Sequence, residues 1–146
     1  MDSQIQIIFR LILALILGAL IGVEREYKKK EAGLQTYSLV TLGACLFTVV
    51  ASELFYFFGQ KEGISFDPSR IILAVATGIG FIGAGAIIYR QPHIEGLTTA
   101  AGLWTAAAIG VAVGVKLYFL AIMATLLAVL ILIVFGALER KIFKKG

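Results

Sequence analysis

Leu117–Leu138 reads LYFLAIMATLLAVLILIVFGAL, 22 residues without a charge or a proline. Such a run offers water no polar face, and about 20 residues are what a helix needs to cross roughly 30 Å of hydrocarbon. Four further runs of that length class precede it: Ile5–Val23, Tyr37–Phe58, Ile71–Tyr89 and Leu97–Val115. Only Lys116 separates the last two runs. One unbroken helix over Leu97–Leu138 would be about 63 Å long, twice the membrane, so the chain turns near Gly114–Leu117. The expected fold is all-α: a polytopic bundle of five transmembrane helices forming a single domain over residues 1–146.

Composition agrees. Of 146 residues 60% are hydrophobic and 15% charged, with a mean hydropathy of +0.96. A soluble domain carries about a quarter charged residues, so a disordered tail, a nucleic-acid arm and an ordinary cytosolic enzyme are excluded. The lone Cys45 lies inside an apolar run, which excludes an intrachain disulfide and a cysteine-ligated metal. One histidine, His93 beside Pro92, reads as a solvated loop residue. No basic stretch precedes Ile5–Val23 and no cleavage region follows it, so this run is read as a retained helix.

Charge position sets the expected orientation. Arg25, Lys28, Lys29, Lys30, Arg90, Arg140, Lys141, Lys144 and Lys145 fall on one side, against Lys61, Arg70 and Lys116 on the other. Basic loops stay in the cytoplasm, which places the amino end outside and the carboxyl end inside. Tyr27, Tyr37, Phe55–Phe58, Tyr89, Tyr118 and Phe119 sit at span ends, where aromatic rings favour the headgroup layer. Asp67-Pro68-Ser69 reads as the start of the third span. A shift of 63 residues overlays the first two spans on the next two, with Gly22 on Gly85 and Gly33-Leu34 on Gly96-Leu97. That pattern fits a 2+2 parallel repeat plus one helix.

Gly78-Ile-Gly-Phe-Ile-Gly83 matches the dinucleotide pattern G-x-G-x-x-G. The pattern needs a strand before it and a helix after it, and inside an apolar span it has neither. Close helix packing at Gly78, Gly80, Gly83 and Gly85, and at Gly18, Gly22, Gly110 and Gly114, is the preferred account. The alternative is a helix broken at these glycines. Two charges lie within spans, Arg10 and Glu53, each five residues from the outer end of its run. Opposite sign at equal depth suggests an intramembrane ion pair, the alternative being an Arg10 that reaches the headgroups alone. At the inner face Glu24, Arg25, Thr36, Glu95, Thr98 and Thr99 form a candidate polar cluster, either a pocket or plain helix capping. Lys28–Lys30 read as an anchor to anionic lipid. Trp104, mid-span, is expected in the bundle interior, where its indole N–H would find a partner.

Leu17–Arg25 (LGALIGVER), Ala32–Val40 (AGLQTYSLV), Gly78–Gly85 (GIGFIGAG) and Glu95–Ala101 (EGLTTAA) together resemble the MgtC/SapB family, with Trp104 and Ala108-Ile-Gly110 in family places. The similarity runs from about Arg10 to Tyr118. It implies a bacterial inner-membrane protein linked to magnesium homeostasis and, in some pathogens, to survival inside host cells. Family members are named as transporters, and regulation of other membrane proteins is the better-supported role. Many carry a carboxyl-terminal domain, whereas only Glu139–Gly146 follows the last span here. The family's Gly-Leu-Arg-Thr-His stands as Gly33-Leu-Gln-Thr-Tyr37, which removes a cation and an imidazole.

The functional expectation is therefore a non-catalytic membrane protein without a cofactor. It would act through helix contacts with a second copy, most simply as a homodimer, or with another membrane protein. Anionic lipid is the other expected partner, and nucleic acid is not one. The alternative is a Mg²⁺ transporter or channel. Mg²⁺ favours octahedral oxygen ligation, and a lone Glu53 facing Arg10 is a poor site for it unless an oligomer gathers several copies of Glu53 or Glu24.

Overall fold

The computed structural model describes residues 3–58, 67, 69–90 and 93–143. Lys61, Pro68, Pro92, Lys144 and Lys145, and the side chains of Tyr89, Arg90, His93 and Arg140, lie outside what is described, so the readings placed on them are not taken further.

Helix α1 (Gln4–Tyr27) begins at Ser3, whose hydroxyl accepts the Gln6 N–H at 3.3 Å. It ends where Lys29 takes a left-handed φ of 51°. Helix α2 (Leu34–Phe58) starts against α1 itself, since Glu26 Oε2 accepts the Leu34 N–H at 3.1 Å. Helix α3 (Ser69–Gly85) follows Asp67, whose carboxylate accepts both the N–H and the hydroxyl of Ser69. Strands β1 (Ile88–Arg90) and β2 (His93–Glu95) then form an antiparallel hairpin with Tyr89 opposite Ile94. The third apolar run was expected to stay helical to Tyr89. It leaves the helix at Gly85, and the β-branched Ile88 opens the strand instead. Gly96 joins hairpin to α4 (Leu97–Gly114) with φ +87°, and a Cβ there would strike the Ala86 carbonyl, so only glycine fits.

The turn at Val115–Leu117, with Lys116 at φ 67°, is where helix length requires it. Helix α5 (Tyr118–Leu130) continues through a π-helical segment, Ile131–Phe135, into α6 (Gly136–Phe143). Helices α1 and α2, α4 and the run Tyr118–Glu139 are each long and apolar enough to cross a bilayer, whereas α3 has 17 residues. Contacts at the helix ends complete the path. Thr99, in the first turn of α4, bonds Arg25 at the end of α1. Ile71 and Ile72, at the start of α3, share a cavity with Phe55 of α2 and Val115 after α4. Helix α3 thus returns the chain from the far end of α2 to the Arg25 end, and five helices alternate in direction.

The core lies on both sides of α2. Gly18 and Gly22 bring α1 so close that an added Cβ would come within 2.6 Å of the Tyr37 carbonyl and 2.7 Å of Leu34 Cα. From the other side, Gly110 and Gly114 of α4 would meet Ala44 Cβ at 2.9 Å and Thr48 Cγ2 at 2.7 Å. Thr41 and Thr48, both buried, return their hydroxyls to the carbonyls of Tyr37 and Ala44 at 2.8 Å, four residues back.

The glycines of α3 behave differently. Gly83 makes an ordinary contact with Ala100, but Gly78, Gly80 and Gly85 have nothing within 4 Å of a built Cβ. Among the described residues their expected packing is therefore not found. Helix α3 runs unbroken through them, which removes the broken-helix alternative. Trp104 is corrected as well: it is 56% exposed, because Leu103, Ala106, Ala107 and Gly110 occupy the inward face of α4. Tyr37, expected among the headgroups, is fully buried under α4. The 63-residue shift puts the start of α2 on the start of α4, but carries Tyr27 at the end of α1 onto Arg90 in the hairpin.

Gly18→Leu and Gly114→Leu should each cost well above the roughly 1–3 kcal/mol of ordinary overpacking, because backbone stands in the way. Gly80→Leu should leave the fold intact. Denaturation midpoints in mixed micelles would separate the two groups.

Candidate functional site

Two buried arginines mark the two ends of the bundle. Arg10 is 1% exposed, so it does not reach the headgroups. Its Nη1 donates to the Gly114 carbonyl at 2.8 Å. That oxygen belongs to the last turn of α4, where carbonyls lack helical donors and the helix dipole favours a cation. Glu53 lies half-buried on α2.

Arg25, 3% exposed, sits at the opposite end among groups from three elements. Its Nη1 lies 3.5 Å from Glu24 Oε2, and its Nη2 donates to Thr99 Oγ1 at 3.3 Å. Thr99 Oγ1 donates in turn to Glu31 Oε2 at 2.7 Å. Lys28 pairs with Glu24 one helical turn away and donates to the Leu132 carbonyl at 2.8 Å. That carbonyl lies in the π-helical segment, where the i→i+5 pattern displaces the usual bonding. The Tyr37 hydroxyl donates to the Thr99 carbonyl at 3.3 Å from beneath, with Gly102 leaving room for the ring. The Thr99 hydroxyl, together with a backbone N–H and the nearby Lys30 and Arg25 charges, holds the Glu31 carboxyl below its ordinary value of 4.5.

Of the six residues expected at this face, Glu24, Arg25 and Thr99 come together and are buried. Thr36 is half-buried, while Glu95 and Thr98 are exposed. Sequence reasoning missed Glu31 and Tyr37, and did not foresee that Lys28, read as a lipid anchor, also pairs with Glu24. Among the described residues no group of three His, Cys, Asp or Glu side chains is placed to hold a metal ion.

The spacing of the two arginines has a counterpart on α4. Arg10 and Arg25 are 15 residues apart, and so are their partners Thr99 and Gly114, in reverse order. At 1.5 Å per residue both pairs span about 22 Å. Antiparallel α1 and α4 are thereby held in one register at both ends.

Five apolar helices with two enclosed cations at opposite ends define a multi-pass helical membrane protein with a polar interior cluster. The chain belongs to the MgtC family, whose model matches residues 11–141. It is 43% identical to YhiD of Escherichia coli K12, which bears a provisional magnesium-transporter name, over 97% of this chain and 66% of that protein. Identity is 39% to SapB of Bacillus subtilis, covering 88% and 56% of the two chains. It is 38% to MgtC of Salmonella typhimurium LT2, covering 82% and 48%. The chain thus spans a little under two thirds of YhiD and about half of the other two. No solved structure matches it.

Removing Glu24 should leave Arg25 and Lys28 uncompensated, and breaking a buried pair costs about 3–5 kcal/mol. Glu24→Leu is expected to lower the thermal midpoint far more than Glu95→Leu, read by unfolding in lipid nanodiscs. Inserting one alanine between Arg10 and Arg25 should break one of the two end contacts with α4 and destabilise comparably. The Glu31 pKa is depressed on folding, so its contribution is full above the ordinary carboxylate range and lost as pH falls through the folded value. Glu31→Gln should therefore remove part of the acid limb of the midpoint-against-pH profile below about pH 4.5.

Proposed function

We propose that the chain is a non-catalytic regulator in magnesium homeostasis, seated in the bacterial inner membrane, that works by helix–helix contact. Its partner is most simply a second copy, with another membrane protein as the other form of the same mechanism. The observation that carries the reading is the bare face of α3. Every glycine of α1 and α4 named above is spent against α2, yet Gly78, Gly80 and Gly85 face nothing among the described residues. Lipid tails are as apolar as any side chain, so association in a bilayer depends on close backbone approach at small residues. Helix α3 offers that approach, flanked by Phe81 at 85% exposure.

The YhiD name favours transport of Mg²⁺ as the second reading. Against it stands the close packing of α1 and α4 on α2, where Gly18 and Gly114 leave no room for even a Cβ and so none for a hydrated ion between these helices. The orientation proposed with the regulatory reading keeps the Arg25 end in the cytoplasm, supported by the nine-to-three division of basic residues. The proposed Arg10–Glu53 ion pair is kept as part of the same reading. The double mutant to leucine should recover most of what either single mutant loses, and additive losses would remove the pair.

Purified chain in liposomes holding a Mg²⁺-sensitive dye should give no flux above protein-free vesicles, and steady flux would establish the transporter. In native membranes Gly80→Cys should form a disulfide-linked dimer on oxidation while Cys45, buried in the core, stays unreacted. Gly80→Leu should abolish the oligomer without changing membrane insertion. Monomers in lipid from the unmodified chain would end the proposal.

A further inference from the structure

Beside the Arg25 cluster a cavity of about 800 Å³ opens between the end of α1 and the π-helical segment. Its two walls differ in chemistry. One carries Arg25, Lys28 and Lys30, and the other carries Ile131, Leu132 and Phe135. Three cations on one side and three large apolar side chains on the other suit a molecule with a charged head and a hydrocarbon tail. A free ion or a soluble metabolite would not use both walls. Glu139 also lines the space and Glu24 stands behind it beside Lys28, so the anion must lie toward Lys30, whose acidic neighbour Glu31 is outside the lining.

Arg25 supplies a second, independent pointer. It is 3% exposed and its Nε has no acceptor, although Nη2 donates to Thr99 and Nη1 lies 3.5 Å from Glu24. A buried donor left empty is costly, and an oxygen from a ligand relieves it. The π-helical segment is the other departure from regular structure at this wall, and such bulges concentrate at functional sites. Arginine and lysine together are the groups that take phosphate oxygens, the first in a planar fork and the second as a point charge.

We propose that this cavity is a binding site for one anionic phospholipid, its phosphate held by Arg25, Lys28 and Lys30 and an acyl chain laid along Ile131, Leu132 and Phe135. The site would anchor the α1 end to the α5 π-helical segment through the lipid as well as through the Lys28 bond to the Leu132 carbonyl. This assignment does not rest on the regulatory reading, since a transporter would hold the same lipid equally well.

The test is native mass spectrometry of the delipidated full chain, titrated with phosphatidylglycerol or phosphatidylcholine of equal chain length. One phosphatidylglycerol should bind at least five-fold more tightly than phosphatidylcholine. Lys30→Gln, an exposed change, should erase most of that preference, and Phe135→Ser should weaken both lipids alike, each with the unfolding midpoint unchanged. Lys141→Gln, also exposed but away from the cavity, should leave the preference intact. Equal binding of the two lipids overturns the site. So does an equal loss in Lys141→Gln, which would reduce the effect to diffuse surface charge. If glycerol phosphate competes as well as the whole lipid, the apolar wall plays no part and the proposal falls.

Discussion

The structure depends on how closely α2 can be approached from two sides. A bilayer gives helices no hydrophobic reason to associate, so distance between backbones decides whether they stay together. Gly18 and Gly22 remove side chains from α1, and Gly110 and Gly114 remove them from α4, along the two faces that meet α2. The matching surface of α2 is made of small and hydroxyl-bearing side chains, with Thr41, Ala44, Cys45 and Thr48 at its centre. Because each hydroxyl bonds its own helix, neither asks anything of the neighbour. The result is dry, close contact through threonines that a bilayer would otherwise penalise.

Held against α2, α1 and α4 can share charges that neither could bury alone. Arg10 finds the open carboxyl end of α4, and Arg25 finds the hydroxyl of Thr99 in its first turn. An arginine in hydrocarbon costs about 3 kcal/mol or more, and that cost is what makes the register specific. Any slide of α1 along α4 takes both from their partners. Packing sets the distance and the arginines set the offset, so the two constraints are independent. Lys28 extends the arrangement to α5, by way of a carbonyl in the π-helical segment.

Much of this was legible in the amino-acid sequence, for identifiable reasons. Span number and the turn before Leu117 follow from hydropathy and from the fixed rise of a helix. The membership of Glu24, Arg25 and Thr99 in one cluster follows from their place at adjacent helix ends. Facing was harder. Thr98 and Thr99 are neighbours in sequence but lie about 100° apart on a helix, and only one points inward. Glycine patterns look alike whether spent inside the chain, as at Gly18, or open, as at Gly80. The hairpin was hidden because Ile87, Ile88 and Tyr89 prolong the apolar run, and hydropathy does not distinguish a strand from one more turn of helix. The π-helical segment has no glycine or proline within it to announce it.

The placement of Trp104 gives the molecule a built-in optical gauge. It is the sole tryptophan, it stands mid-way along α4, and more than half its surface faces outward. Its emission is therefore set by whatever surrounds the bundle at the centre of the bilayer and not by the protein core. Acyl chains brominated near their termini reach that depth and quench by contact, while a neighbouring polypeptide over α4 would exclude them. The unmodified chain thus reports, without any label, how much of its mid-membrane circumference is covered by lipid.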